Sequence, residues 1–334
     1  MLFVLITLLA ACGGQPAAQS PTAPAAADAE AAYPRTITDF EGRTVTINAA
    51  PQRIVIDNRS YILGTLLALG VAPQQMHVYP HPFSTVPTDA MPWEEAALKE
   101  LSADPERIES LDGRYTLEVV ARAQPDLIIA NPESYGDGLT NLDQLEALAP
   151  TVLIARARDW RANIRVIADA LGKPTEGERL VAETEAKINE VARYAQEQGA
   201  VAKTFAVVTF AKDGNVYVCT DKQYGPTNML LSLGLKMTPE VEALNAGVCT
   251  PLSLEKLDVL ASTNYLLIFQ CTGYTVEEAQ AQPVIQALSA LQDGRYDFIP
   301  DSALGIAFDD LNPLSIDILL PTLRSVVEKA AQAR

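Results

Sequence analysis

Residues 175–199 read TEGERLVAETEAKINEVARYAQEQG, and the fold turns on them. Leu180, Val181, Thr184, Ile188, Val191, Ala192 and Ala195 recur at helical spacing, so one face of a long helix is buried. The other face is solvated and carries Glu183 and Lys187 as a pair one turn apart. Thr175 followed by Glu178 has the form of a capping box, and Gly199 stands where a helix ends. At 1.5 Å per residue such a helix covers roughly 34 Å, enough to run across two lobes as a strut. An ordinary surface helix inside one domain would show the same local pattern, so the flanking sequence has to separate the two.

On the amino-terminal side, strand and helix signals alternate. Thr36–Phe40 and Arg43–Asn48 alternate apolar and polar residues around Glu41 and Gly42, a hairpin signal. Arg53–Asp57, Met76–Tyr79, Asp126–Ala130 and Thr151–Ile154 read as strands; Ser60–Leu69, Thr116–Ala123 and Leu142–Leu148 read as helices. Pro80–Pro92, with its prolines and His81, is a loop. On the carboxyl-terminal side the same alternation returns, with strands at Thr204–Phe210, Asn215–Cys219, Leu266–Phe269 and Tyr296–Ile299. Helices are expected at Thr227–Leu233, Ser253–Leu260, Pro283–Leu291 and Pro313–Ala331. The fold class is therefore α/β, with two three-layer lobes joined by a single long helix, each lobe a parallel or mixed sheet covered by helices. Ligands of open sheets bind beyond the carboxyl ends of the strands, which places the expected ligand cleft between the lobes.

A chain of 334 residues, 48% hydrophobic, can build two domain-sized cores. Its formal charge of -17 argues against a nucleic-acid partner, because no basic run is present to neutralise phosphates. Leu2–Leu9 is an apolar run too short to span a bilayer, and it ends in Leu9-Ala10-Ala11-Cys12. This resembles the lipobox of bacterial lipoproteins, which implies a signal peptide cleaved before Cys12, lipid on its thiol, and attachment to the outer face of the cytoplasmic membrane, in a periplasm or at the cell surface. No Lys or Arg precedes the apolar run, a departure that leaves the true start codon open. Residues 13–34 are rich in Ala, Pro, Gln, Ser and Thr and read as a disordered tether. The expected plan is 1–12 signal peptide and lipobox cysteine, 13–34 tether, 35–174 N-terminal lobe, 175–199 interlobe helix and 200–334 C-terminal lobe.

Several stretches taken in order resemble one family, the substrate-binding lipoproteins of ABC importers for iron complexes. After the hairpin come Pro51-Gln52-Arg53-Ile54-Val55 and Leu66-Leu67-Ala68-Leu69-Gly70-Val71, then Ala123-Gln124-Pro125-Asp126-Leu127-Ile128-Ile129-Ala130, with Gln124 where Lys is common. Gln144–Val152, Asp159-Trp160, Leu231–Leu235 and Ser253-Leu254-Glu255 also fit, so the resemblance covers nearly the whole chain from Thr36. Membership implies two α/β lobes on a rigid helix with limited hinge motion. It implies capture of a ferric siderophore, with cobalamin or haem as the alternative cargo, and delivery to an ABC importer permease dimer by a monomeric, membrane-anchored protein that needs no cofactor of its own.

A large polar iron complex calls for a shallow cleft with hydrogen-bonding groups, aromatic faces and some positive charge. Strand-end positions supply the candidates. In the first half they are Asn58, Arg59, Tyr79, His81, Arg114 and Tyr135; in the second half they are Lys212, Tyr224 and Tyr274. Arg59 leads them, because a cation before a helix N-terminus is disfavoured by the helix dipole and an anionic ligand would compensate it. Glu118 and Glu255 sit on corresponding helices of the two halves, and the resemblance implies that they dock each lobe onto permease arginines. Free metal-ion capture is a weaker reading, since His77 and His81 are the only histidines. Beyond Cys12, Cys219, Cys249 and Cys271 allow three choices of one disulfide; Cys219 with Cys249 is favoured. An enzyme is not expected: the chain has no Gly-x-Ser-x-Gly elbow and no Gly-rich phosphate loop, and the Asp309-Asp310 pair reads as a polar loop. Neither repeats nor a long exposed apolar face suggest an adhesin.

Overall fold

The structure is a computed structural model that describes residues 33–57, 62–72, 75–78, 91–100, 109–110, 117–131, 142–155, 159–210, 215–244, 248–270, 277–278, 281, 283–300 and 303–333. The chain opens with a hairpin of β1 (Arg35–Thr38) and β2 (Thr44–Ile47), turned at Gly42 with φ +75°. Next come β3 (Ile54–Ile56), α1 (Gly64–Ala68), β4 (Met76–Val78), α2 (Pro92–Glu100) and β5 (Glu109–Ser110). The N-terminal lobe is completed by α3 (Leu117–Arg122), β6 (Leu127–Ala130), α4 (Leu142–Glu146), β7 (Thr151–Leu153) and α5 (Trp160–Ala170). Its five strands lie in the order β5-β4-β3-β6-β7, all parallel. Every residue of β3, β6 and β7 is buried, which is why these strands read as unbroken apolar runs rather than alternations.

The decisive stretch forms one helix, α6 (Pro174–Gln198), stopped by Gly199 in the left-handed region with φ 73°. The amino end differs from the sequence reading. Pro174 takes the first helical position, Lys173 is the N-cap residue, and no side chain caps the turn. Thr175 is thereby drawn inside the helix, and Glu178 pairs with Arg165 of α5 at 2.7 Å instead of closing a capping box. Glu183 and Lys187 do not pair either. Glu183 takes Arg179, and Lys187 reaches Asp317 at 2.7 Å.

Beyond α6 follow β8 (Phe205–Phe210), β9 (Asn215–Cys219), α7 (Gly225–Ser232), α8 (Pro239–Glu242) and β10 (Cys249–Ser253). Leu254–Leu260, within the stretch expected to be helical, is a 3₁₀ helix. The chain continues with β11 (Tyr265–Gln270), α9 (Pro283–Gln286), α10 (Ser289–Gln292), β12 (Tyr296–Ile299), α11 (Ala303–Asp309) and α12 (Ile316–Ala331). The single helix expected over 283–291 is two short ones. The second sheet is mixed, in the order β10-β9-β8-β11-β12, with β8, β11 and β12 mutually parallel and β9 antiparallel to both its neighbours, β8 and β10. Asp297 of β12 ties α12 to this sheet by accepting from Ser325 and Lys329, and it also accepts from Tyr265 at 3.0 Å. Tyr265 is fully buried, and burial first, then the neighbouring carboxylate, pushes its phenol well above the ordinary tyrosine range.

The buried stripe of α6 comprises Gly177, Leu180, Val181, Thr184, Ile188, Val191 and Ala195, and it belongs to one apolar core shared with both sheets. The first half of the helix lies along α5, so close that a Cβ on Gly177 would fall 2.5 Å from the Ala168 methyl. Its second half lies along α12, where Lys187, Glu190 and Tyr194 meet Asp317, Arg324 and Glu328 in turn. The lobes also touch directly. Asn312, fully buried in the turn before α12, accepts from the Leu314 and Ser315 amides at 3.0 and 3.1 Å. A Cβ on Gly64 of α1 would lie 2.4 Å from that same oxygen.

Gly64→Ala is expected to lower stability by about 1–3 kcal/mol through overpacking, against a gain of up to about 1 kcal/mol in helix propensity. Urea unfolding of Gly64→Ala, Asn312→Ala and the double variant checks this. The double variant should be more stable than the two single losses added together, because removing the Asn312 side chain makes room for the methyl. Strict additivity would mean that the two residues do not press on each other.

Candidate functional site

The carboxyl ends of the parallel strands define where a ligand can sit. In the N-terminal lobe, Asp57 follows the end of β3 and Asn131 the end of β6, both buried, and the Asn131 amide donates to Asp57 Oδ2 at 2.5 Å. This bond fixes the two points at which the chain leaves the sheet. Immediately beyond them in sequence stand Asn58 and Arg59, and the 132–135 stretch with Tyr135. Asn58, Arg59, Tyr79, His81, Arg114, Tyr135, Lys212 and Tyr274 all lie outside the described residues, as do Cys12, the 13–32 part of the tether, and Cys271.

Tyr224 is described, and its surroundings can be built atom by atom. It is the residue before the first turn of α7, with its amide donating to the Asp221 carbonyl at 3.1 Å. Its hydroxyl donates to Asp309 Oδ1 at 2.7 Å. The backbone after it is pinned: a Cβ on Gly225 would fall 2.4 Å from the Phe308 carbonyl oxygen. Phe308 in turn packs edge-on against Phe269, near the carboxyl end of β11, with ring centroids 5.8 Å apart. Asp309 leads through Asp310 and Leu311 to Asn312, which touches Gly64 on the opposite lobe. Tyr224 therefore stands at the carboxyl edge of the second sheet, beside the junction between the lobes.

Asp309, Asn312, Gly64 and Asp57 are not candidates on sequence, whereas Asn131 opens the Asn131–Tyr135 strand-end stretch that is. The Asp309-Asp310 pair was read as a polar loop, and the Tyr224 bond spans 85 residues, a distance no local pattern encodes. Glu118 and Glu255 are exposed, each in the first turn of its helix, α3 and the 3₁₀ helix respectively. Cys219 and Cys249 stand opposite each other in the β9–β10 register and are joined by a disulfide, as favoured from sequence. Among the described residues, no group of three His, Cys, Asp or Glu side chains could hold a metal ion. No helix among them is long and apolar enough to cross a membrane.

Two cavities lie elsewhere. One of about 800 Å³, lined in part by Tyr33, Ile54, Leu69 and Lys173, opens beside the start of β3 and of α6. The other, of about 610 Å³, is lined in part by Thr263, Asn264 and Arg295, just before β11 and β12. Both sit at the amino ends of the strands, the pole away from Tyr224 and Asn131.

The chain is similar to several known proteins. It is 27% identical over 244 residues to the probable siderophore-binding lipoprotein YfiY of Bacillus subtilis, an alignment covering 71% of this chain and 66% of that one. It is 31% identical over 170 residues to the ferric enterobactin-binding periplasmic protein FepB of Escherichia coli, covering 50% of each. The chain thus matches less than two thirds of the length of these curated relatives. The crystal structure of Streptococcus pneumoniae PiaA in complex with ferrichrome superposes with a TM-score of 0.73 at 20% identity, covering 90% of this chain and 99% of that one, a likeness of fold. Residues 64–303 match the family model described as periplasmic binding protein, and with most of both lobes inside that match the chain belongs to this extracytoplasmic family of binding proteins.

Proposed function

We propose that this protein captures a ferric siderophore outside the cytoplasmic membrane and delivers it to the permease dimer of an ABC importer. The observation that carries the reading is the agreement between relatives: both YfiY and FepB are named for siderophore or ferric-siderophore binding, and they match different shares of the chain. The geometry supports it. The carboxyl edges of both sheets converge beside the Asn312–Gly64 contact, where Tyr224 stands. The siderophore supplies the iron ligands, and the protein supplies hydrogen bonds, aromatic surface and charge. A lipid on Cys12, with the 13–34 stretch as a tether, holds the protein at the membrane. Exposed Glu118 and Glu255, one on each lobe, dock onto permease cations.

Fluorescence titration of the purified protein tests the cargo, because Trp93 and Trp160 are its only tryptophans. Ferric hydroxamate, ferric catecholate, ferric citrate, cobalamin and haem are added in turn. Saturable quenching by a ferric siderophore, in the micromolar range or tighter, is expected. Exclusive binding of cobalamin or haem, or of none of the five, would overturn the assignment. For docking, the Glu118→Ala/Glu255→Ala double variant should keep cargo affinity but lose most cellular uptake; normal uptake would dismiss these two carboxylates as the docking pair.

A further inference from the structure

We propose that the cavity of about 610 Å³ just before β11 and β12 is a second binding site, one that takes a neutral, hydroxyl-rich molecule of mono- or disaccharide size. The turn into β11 supplies Thr263 and Asn264 to its wall; α10 and the turn into β12 supply Ser289, Asp293 and Arg295. Thr263 is 1% exposed, and its hydroxyl makes no hydrogen bond among the described residues. A buried hydroxyl left unpaired costs stability, so its place in a cavity wall points to a partner from outside the chain.

The charges in the wall already answer each other. Arg295, its side chain 8% exposed, gives Nε–H and one NH2 proton to Asp293 Oδ2 at 3.3 and 2.9 Å, its other NH2 proton to Ser289 Oγ at 3.4 Å, and one NH1 proton to the Asn264 carbonyl. Little of the guanidinium is left for an oxyanion, and a phosphate or carboxylate would also meet Asp293. The groups with capacity to spare are of both kinds. Asn264 spends its amide oxygen on the Thr204 amide and hydroxyl at 2.9 and 3.0 Å, and its Nδ2 has no partner among the described residues. Ser289 accepts from Arg295 and keeps its own proton, while Asp293, its side chain 62% exposed, keeps Oδ1 as an acceptor. Donors from Thr263, Asn264 and Ser289 and an acceptor from Asp293, with the ion pair neutral, match a molecule whose hydroxyls each donate and accept. A volume of this size suits a small molecule, and Ala261 and Ala333 give the wall too little apolar surface for a hydrophobic guest.

The test follows backbone amides of the labelled protein during titration with glucose and with sucrose, and with inorganic phosphate as the charged control. Saturable shifts at Thr263, Asn264 and Ser289 are expected with a sugar, at a dissociation constant of about 1 mM or tighter, while Asp57, Asn131 and Tyr224 stay unmoved. Thr263→Val keeps the shape of the side chain and breaks no side-chain hydrogen bond among the described residues. It should leave the melting temperature unchanged or higher, yet weaken sugar binding about fivefold. Ser289→Ala removes a second donor and should weaken binding by a similar factor, which keeps the test decisive if the Thr263 variant folds poorly. No saturation with either sugar, saturation of the same amides by phosphate, or an affinity unchanged in both variants overturns the site.

Discussion

The structure depends on the apolar stripe of α6 being buried along its whole length. The helix has no side-chain cap, and its ion pairs with α5 and α12 are exposed to solvent, which screens them, so they add little. Burial of Leu180, Val181, Ile188 and Val191 contributes more, at roughly 1.5–3 kcal/mol for each fully buried large aliphatic side chain. That stripe meets α5 first and α12 second. One rigid element thereby belongs to the cores of both lobes, and their relative position follows from side-chain packing rather than from a flexible linker. The Asn312–Gly64 contact adds a second fixed point at the far side of the junction.

With the lobes fixed in this way, the chemistry falls at the carboxyl edges of the two sheets. Asp57 and Asn131 hold the N-terminal edge by one short hydrogen bond, and Phe269, Phe308, Asp309 and Tyr224 hold the other. Both groups are preorganised by neighbours buried beneath them. The disulfide between Cys219 and Cys249 secures β10, the edge strand of the second sheet, to β9, the strand that runs on toward Tyr224.

Much of this was legible in the sequence because it is periodic. The 3.6-residue stripe gave α6 to within one residue at each end, and β-branched runs gave β3, β6 and β8. Signals that depend on register were not legible. Thr175 and Glu178 have capping-box spacing, but Pro174 starts the helix one turn position early and sends Glu178 to Arg165. Cys219 could be preferred over Cys271 as the partner of Cys249, yet only the β9–β10 pairing shows the two sulfurs opposite each other. Asp309 carries no local signature at all, since its partner lies 85 residues away. Gly64 had one faint mark, a glycine inside a helical pattern, which signals close approach of something else.

Ferric iron is paramagnetic, so a ferric siderophore would report its own position if bound. Backbone amide spectra of the labelled protein should be compared with a ferric siderophore and with its diamagnetic gallium analogue. Iron-specific broadening should centre on Asp57, Asn131, Tyr224 and Asp309, with Thr263 and Lys173 at the opposite pole spared. Broadening centred on Thr263 or Lys173, with the carboxyl edges unaffected, would contradict it.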